Sequence, residues 1–107
     1  MLYFPNLDLE EGGMRIEEVL WLEEIVEKLW RKHQVEPEEV EEVLAGRPKI
    51  RHIEKGHQPD EDLYLALGRT DAGRYLSVFF IYKKDERALI ISARDMSSSE
   101  RKRYERS

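Results

Sequence analysis

The segment from residue 87 to residue 106 holds the side chains best suited to phosphate chemistry. Arg94 follows an apolar run that is typical of a strand, and the serine run after it, with Glu100 at the offset of a capping box, predicts a short helix. A guanidinium at the exit of a strand can be aimed rigidly at a phosphate, so Arg94 is the first candidate for binding a phosphate backbone. The alternative is an ion pair between Arg94 and an acid such as Asp95 or one from the helices.

The predicted terminal helix concentrates cations around one tyrosine, Tyr104. Arg101, Lys102 and Arg103 could contact phosphates, or they could form the solvated side of a helix that faces a partner protein. Tyr104 could stack on a nucleobase or donate a proton, although a tyrosine in a terminal helix more often packs its ring on the sheet.

Three further groups could take part in proton transfer or charge stabilisation. Lys32 and His33 end the first predicted helix, where cations also serve as an ordinary cap on the negative helix end. His33 is the better proton-transfer candidate of the two because imidazole titrates near neutrality. His57 lies in a polar loop and could supply a base.

Metal and nucleotide sites are not indicated by the sequence. The chain has no cysteine and three histidines, and no two of the histidines have the spacing of a ligand pair. The glycines around the predicted hairpin turn fit no nucleotide-binding fingerprint. We therefore expect neither a metal nor another cofactor.

Length and charge favour one small, acidic domain with a basic half. The 107 residues carry a net charge of −5, but residues 1–46 hold 4 Lys/Arg against 13 Asp/Glu, whereas residues 47–107 hold 14 against 10. An anion-binding face in the second half fits this asymmetry, and solvated acidic helices are the plainer explanation. No apolar run approaches the roughly 20 residues that span a bilayer, and the N-terminus lacks a signal-peptide pattern, so we expect a cytoplasmic protein without membrane contact.

The residue pattern predicts an α+β fold that must position these groups. Residues 1–13 are expected to be an N-terminal extension, and residues 14–107 a single domain. Apolar positions at helical spacing predict a helix from Trp21 to His33, with a stripe made of Leu22, Ile25, Val26, Leu29 and Trp30, and a second helix that starts at Pro37. The period then changes to two, which predicts an antiparallel meander of about four strands before the terminal helix. A mild alternation over residues 14–20 is compatible with one more strand.

Three separated segments also share an order and a spacing that point to a known family. The first runs from Trp21 through Arg31-Lys32-His33-Gln34-Val35 to Val43-Leu44, the second from Tyr64-Leu65-Ala66-Leu67-Gly68 through Gly73-Arg74-Tyr75-Leu76 to Val78-Phe79-Phe80, and the third from Ile90-Ile91-Ser92-Ala93-Arg94 through Glu100-Arg101 to Tyr104. Together, from about Trp21 to Glu105, they resemble the BrnT-type toxins.

This resemblance implies a RelE-like ribonuclease fold with two N-terminal helices on the meander. It also implies the toxin of a type II toxin–antitoxin pair, a metal-independent endoribonuclease that inhibits translation. The expected partners are RNA and a cognate, BrnA-like, DNA-binding antitoxin in a hetero-oligomer. On this basis the predicted catalytic residues are Arg94, His33, Lys32, Tyr104 and His57, and the predicted RNA-binding residues are Arg74, Arg101, Lys102 and Arg103.

The departures from the family pattern leave an alternative open. Leu63 and Leu89 stand where the family commonly has arginines, and Gln34 replaces a glycine. The chain could therefore be a catalytically impaired BrnT-like module that binds RNA or an antitoxin-like partner without cleavage. A DNA-binding regulator is the third hypothesis, which the basic terminal helix permits but no helix-turn-helix pattern supports.

Overall fold

A computed structural model describes residues 14–58 and 61–106. The predicted extension, residues 1–13, lies outside the described residues. In chain order the elements are β1 (Glu18–Leu20), α1 (Glu23–His33), α2 (Pro37–Ala45), β2 (Lys49–Glu54), β3 (Leu63–Arg69), β4 (Tyr75–Tyr82), β5 (Arg87–Asp95) and α3 (Ser98–Arg106).

The sheet has five strands in the order β1-β5-β4-β3-β2. Strands β2 to β5 pair antiparallel with their sequence neighbours, so the predicted meander is confirmed. A fifth strand, β1, lies in the segment 14–20 whose alternation is compatible with one more strand, and it is parallel to β5. Three residues of β1 suffice, since the preceding Ile16 is fully buried and anchors the segment.

Helix α1 has the charge distribution expected of a helix, but its predicted apolar stripe is only partly buried. Acidic residues occupy its first turn and Arg31, Lys32 and His33 its last, which complements the helix dipole. Gln34 ends the helix in the left-handed region, with φ 51°. Of the predicted stripe only Leu29 is buried, whereas Leu22 and Trp30 are 44% and 55% exposed. Leu22 is the extended N-cap residue that precedes the first turn, and Trp30 lies at the edge of the stripe, so both side chains face outward.

Helix α2 starts at Pro37, as the sequence predicts. Pro37 occupies the first turn, and Glu36 and Glu39 form a capping box in which each side chain accepts a hydrogen bond from the other residue's backbone. Its apolar residues Val40, Val43 and Leu44 are all buried.

The helices lie on both faces of the sheet. Helices α1 and α2 pack with alternate residues of β4, including Val78 and Phe80, in the hydrophobic core. The close approach of α2 to β3 requires a glycine, because a Cβ on Gly68 would meet a Val43 methyl at 2.8 Å. The intervening residue Ser77 faces the opposite side, where α3 binds it through Glu100.

Candidate nucleic-acid interface

Four side chains on the α3 side of the sheet lie in one row across four strands. Arg94 is paired with Ser77, Ser77 with Leu67, and Leu67 with Lys49. Helix α3 lies over this row, because Glu100 contacts its first two residues and the Tyr104 backbone carbonyl accepts a hydrogen bond from the Lys49 ammonium. The structure thus brings Arg94 and the terminal helix together, as the sequence suggested.

Arg94 is bound by an acid of the terminal helix. Its two terminal nitrogens donate to the two carboxylate oxygens of Glu100 at 2.7 and 2.9 Å, and its guanidinium lies 5.3 Å from the centre of the Phe79 ring. The Arg94 side chain remains 36% exposed. A phosphate at Arg94 would therefore share the guanidinium with Glu100. The ion pair that the sequence left open exists, although its main acid is Glu100, with Asp95 supplying only its backbone oxygen.

The pKa of the Glu100 carboxyl lies well below its usual range. The bonds from Arg94, together with those from the Ser97 backbone and the Ser77 hydroxyl, lower the pKa of Glu100 to about 2, against the opposing effect of burial. The carboxylate is charged under all physiological conditions, so the pair with Arg94 is permanent near neutral pH.

Tyr104 contacts protein groups on two sides of its ring. The ring meets Tyr75 edge to face at 5.9 Å, and the Lys49 ammonium lies 5.2 Å from the ring centre. This arrangement favours the packing interpretation of Tyr104 over a role in proton transfer. The half-buried ring keeps one part of its surface accessible.

The cations of α3 differ in their surroundings. Arg101 stacks on the Tyr75 ring at 3.9 Å and bonds the Glu105 carboxylate at 3.3 Å. Lys102, Arg103 and Arg106 are exposed.

Arg74 is committed to contacts within the protein. Its guanidinium donates to the backbone carbonyls of His33 and Gln34 at 2.9 and 2.8 Å, to the Asp95 carboxylate at 2.8 Å and to the Glu39 carboxylate at 3.1 Å. The hydrogen bond to Asp95 is the main reason that the pKa of Arg74 lies above its usual range. Arg74 therefore satisfies the free carbonyls at the end of α1 and ties them to α2 and β5. Its predicted RNA contact stays a prediction.

Lys32 and His33 lie beside Arg74 rather than beside α3. The Lys32 side chain is exposed and His33 is half-buried. Because Arg74 joins the His33 carbonyl to Asp95, His33 and Arg94 lie at the same end of the sheet. They belong to opposite layers, since α1 packs on the face that α3 does not cover.

His57 lies at the other end of the sheet. It is exposed in the loop that connects the end of β2 to the start of β3. Arg94 aligns with Lys49 at the start of β2, so the length of that strand separates the two predicted site residues. The predicted residues therefore lie in three places: Arg94 beside α3, His33 and its neighbours beside Arg74 on the opposite layer, and His57 at the far end of the sheet.

Between α3 and this loop, one sheet face carries half-buried apolar side chains. We call it the open sheet face and define it by Arg51, Leu63, Phe79, Ile81 and Leu89. Arg51, Leu65, Phe79 and Ser92 form one cross-strand row, and Leu63, Ile81 and Leu89 form the next. The two leucines at the positions where the resemblance predicts arginine thus flank the same isoleucine. A pocket of about 240 Å³ adjoins this row and is lined by Glu54, Lys55, Gly56, Glu61, Leu63, Ile81 and Ile91.

Sequence reasoning missed two features of this end of the molecule. Arg51 is exposed on the same side of β2 as Lys49, which the period of two between these residues could have revealed. The other feature is a hydrogen bond of 3.0 Å between His52 Nε2 and the Asp62 carboxylate. No sequence spacing indicates this contact, because the loop between β2 and β3 determines it.

Two findings limit the other kinds of site. Within residues 14–58 and 61–106 no helix is long and apolar enough to cross a membrane. In the same residues no group of three or more His, Cys, Asp or Glu side chains could hold a metal ion.

Comparison with known proteins decides the family. Residues 21–100 match the family described as the ribonuclease toxin, BrnT, of type II toxin-antitoxin systems. This chain belongs to the BrnT family. The match extends from Trp21, before α1, to Glu100 in α3, so it includes both helices that precede the meander.

The fold agrees with a solved structure of this family. The chain is similar to the ribonuclease toxin BrnT of Brucella abortus, with a TM-score of 0.55 and 21% identity over 75% of this chain and 96% of that one. No curated protein matches the chain. The predicted BrnT resemblance and the α+β class are confirmed. Membership of the family implies a ribonuclease toxin, with an antitoxin as its partner and RNA as its substrate.

Proposed function

We propose that this chain is an endoribonuclease toxin of the RelE-like class that cuts RNA without a metal ion and so inhibits translation in the cytoplasm. A cognate, BrnA-like, DNA-binding antitoxin holds it inactive in a hetero-oligomer. The observation that carries the proposal is the family match over residues 21–100, which covers α1, α2, strands β2 to β5 and the start of α3.

Metal-independent RNA cleavage needs proton-transfer groups and cations, and this chain has histidines and arginines with exposed or half-buried side chains. Cleavage by the neighbouring 2′-hydroxyl needs a base, cations that stabilise the charged phosphorane, and a proton for the leaving oxygen. Histidine supplies proton transfer near neutral pH, and arginine binds phosphate oxygens through paired donors. No step of this reaction requires a metal ion.

The open sheet face is the surface on which we propose that RNA lies. Phe79 offers a ring next to Arg94, and Arg51 adds an exposed cation at the free edge of β2. Single-stranded RNA binds by such combinations of stacking surfaces and cations along a groove. The exposed Lys102 and Arg103 of α3 extend the basic border, as the sequence predicted for these residues.

The remaining predicted residues differ in how directly RNA could reach them. His33 and Lys32 are placed to meet RNA only where it passes the end of α1, and His57 only where it passes the opposite end of the sheet. Tyr104 and Arg74 make internal contacts, which support structural roles at these two positions.

The test is expression with and without the antitoxin, followed by cleavage of RNA in vitro. Induction of the chain alone should arrest growth, and co-expression of the neighbouring antitoxin should restore it. Purified protein should degrade mixed-sequence RNA in the presence of a chelator, with or without ribosomes. Harmless expression at high level together with intact RNA would refute the proposal.

A catalytically impaired module is the second candidate, and two contacts favour it. Leu63 and Leu89 give the open sheet face an apolar row around Ile81, and Glu100 neutralises Arg94. Such a module would bind RNA with salt-sensitive affinity and no turnover, or would bind the antitoxin alone. Measuring RNA binding and RNA cleavage on the same preparation separates the two candidates.

A further inference from the structure

At the free edge of β2, His52 and Asp62 form a pair that lies outside the predicted site. His52 Nε2 is 3.0 Å from one oxygen of the Asp62 carboxylate, and the other oxygen accepts the Gly56 backbone N–H at 2.9 Å. The His52 side chain is 45% exposed and that of Asp62 25% exposed. The pair is thus built into the protein on the carboxylate side and open to solvent on the imidazole side.

The carboxylate determines which ring nitrogen of neutral His52 carries the proton. A carboxylate can only accept, so Nε2 bears the hydrogen and the lone pair resides on Nδ1. Within the described part of the chain, no hydrogen bond involves Nδ1. The Gly56 amide, and then the His52 ring, lower the pKa of Asp62, which keeps this carboxylate charged at neutral pH.

Packing restricts the orientation of the imidazole. The ring meets Tyr64 edge to face at 5.3 Å with an interplanar angle of 87°, and Tyr64 in turn stacks on the buried Phe80 at 5.8 Å. Gly56, whose amide binds the acceptor, lies close to the Glu61 backbone, because a Cβ on Gly56 would be 2.5 Å from the Glu61 backbone oxygen. A base held in this way loses little rotational freedom when it acts.

Cations lie on both sides of the pair. Arg51 precedes His52 on the edge strand and is exposed, and Lys55 is close enough to act electrostatically on Asp62. Among residues 14–58 and 61–106, neither of these two cations forms a salt bridge within 4 Å. Because β2 is an edge strand, a nucleic acid that leaves the open sheet face at Arg51 passes His52 as it rounds that edge.

We propose that His52 is the proton-transfer group for RNA cleavage at this edge and that Asp62 is its positioning residue. The inference rests on the proposed ribonuclease function and assigns its base. His52 Nδ1 takes the proton of a ribose 2′-hydroxyl, and the resulting oxygen forms a bond to the adjacent phosphorus. The bond from phosphorus to the 5′-oxygen breaks, that oxygen takes a proton from water, and the hydroxide left behind takes the proton from His52 Nδ1. The products are a 2′,3′-cyclic phosphate and a 5′-hydroxyl. Arg51 and Lys55 bind the phosphate oxygens.

The competing explanation is a purely structural pair that closes the loop between β2 and β3. A structural pair would lower stability when it is broken, but it would not change the pH dependence of cleavage. His52→Gln separates the explanations because the glutamine amide can still donate to Asp62 but cannot transfer a proton near neutral pH.

The experiment uses the full chain and mixed-sequence RNA, with ribosomes present and absent. His52→Gln should lower the cleavage rate roughly 100-fold or more with little change in Tm. Asp62→Asn should lower the rate less and shift the acidic limb of the pH–rate profile. Asp85→Asn is the matched control, because Asp85 is also an exposed carboxylate in a turn and bonds Arg87 at 2.6 Å, and its rate should equal that of the unaltered chain.

The result for His52→Gln separates failure of the His52 proposal from failure of the ribonuclease proposal. Cleavage by His52→Gln within about threefold of the unaltered chain overturns the role of His52 and leaves the ribonuclease proposal standing. If the unaltered chain does not cleave RNA at all, both fall. If His52→Gln loses activity and Tm together, free imidazole is added to His52→Ala: restored cleavage supports proton transfer, and no restoration overturns it.

Discussion

Arg94 and Glu100 face each other across the junction of β5 and α3, with both guanidinium–carboxylate hydrogen bonds formed at 2.7 and 2.9 Å. Glu100 also accepts hydrogen bonds from the Ser77 hydroxyl at 2.7 Å and the Ser97 backbone at 2.9 Å. One carboxylate thus holds the terminal helix on the sheet and neutralises the cation that the sequence marks as the main phosphate ligand.

Replacing Glu100 with glutamine should weaken the fold and strengthen anion binding. The variant loses hydrogen bonds to a charged group, so we expect the free energy of unfolding to fall by about 1–3 kcal/mol. The freed Arg94 should raise the affinity for RNA. Urea unfolding and RNA titration measure the two effects. Glu27→Gln, which breaks an exposed pair with Arg31 at 3.7 Å, should change stability by no more than about 0.5 kcal/mol.

Stability should fall in acid because of the same carboxylate. The pKa of Glu100 is lowered from 4.5 to about 2 in the folded protein. A group with a lowered folded-state pKa stabilises the fold above its unfolded pKa, and this contribution disappears as the pH falls from about 4.5 to about 2. Thermal unfolding of the unaltered chain and of Glu100→Gln across this range should converge toward the lower pH. A constant difference in Tm would contradict the assignment.

Arg74→Lys should destabilise the protein although the charge is kept. Lysine cannot reproduce the planar set of donors that reaches the His33 and Gln34 carbonyls and the carboxylates of Glu39 and Asp95. We expect a loss of about 2–3 kcal/mol in urea unfolding, because several hydrogen bonds to a charged group are broken. Arg31→Lys on the exposed side of α1 is the control and should be nearly neutral. Unchanged stability of Arg74→Lys would favour the predicted RNA contact instead.

Arginine at positions 63 and 89 should rebuild a basic surface. Leu63 and Leu89 are half-buried on either side of Ile81, so an arginine stem can lie on the apolar row while its guanidinium reaches solvent. The double variant should bind RNA more tightly. The slope of the logarithm of the binding constant against the logarithm of the salt concentration should become steeper by about 1 per added arginine. The double variant Leu22→Arg with Trp30→Arg, at two exposed positions at the start and near the end of α1, adds the same two charges and should leave RNA binding nearly unchanged. Equal effects at the two places would show that net charge alone matters.

Much of the fold could be predicted because its signals are local. The capping box of α3 followed from the spacing of Ser97 and Glu100, and the structure forms both of its hydrogen bonds. The meander followed from the period of two, and the BrnT resemblance from ordered short motifs. The stripe of α1 was wrong at Leu22, which precedes the first helical turn, and at Trp30, because periodicity does not state how wide a face the sheet can cover.

The candidate site depended on contacts that no local pattern contains. Arg74 is bound by groups 21 to 41 residues away in sequence, and His52 by a carboxylate 10 residues away across a loop. The sequence by itself determined the type and order of the elements, the helix caps and the family, because these depend on residues within a few positions of one another. Only the tertiary structure decided which charges are free and which are paired, because strand register and helix docking bring distant groups within hydrogen-bonding distance.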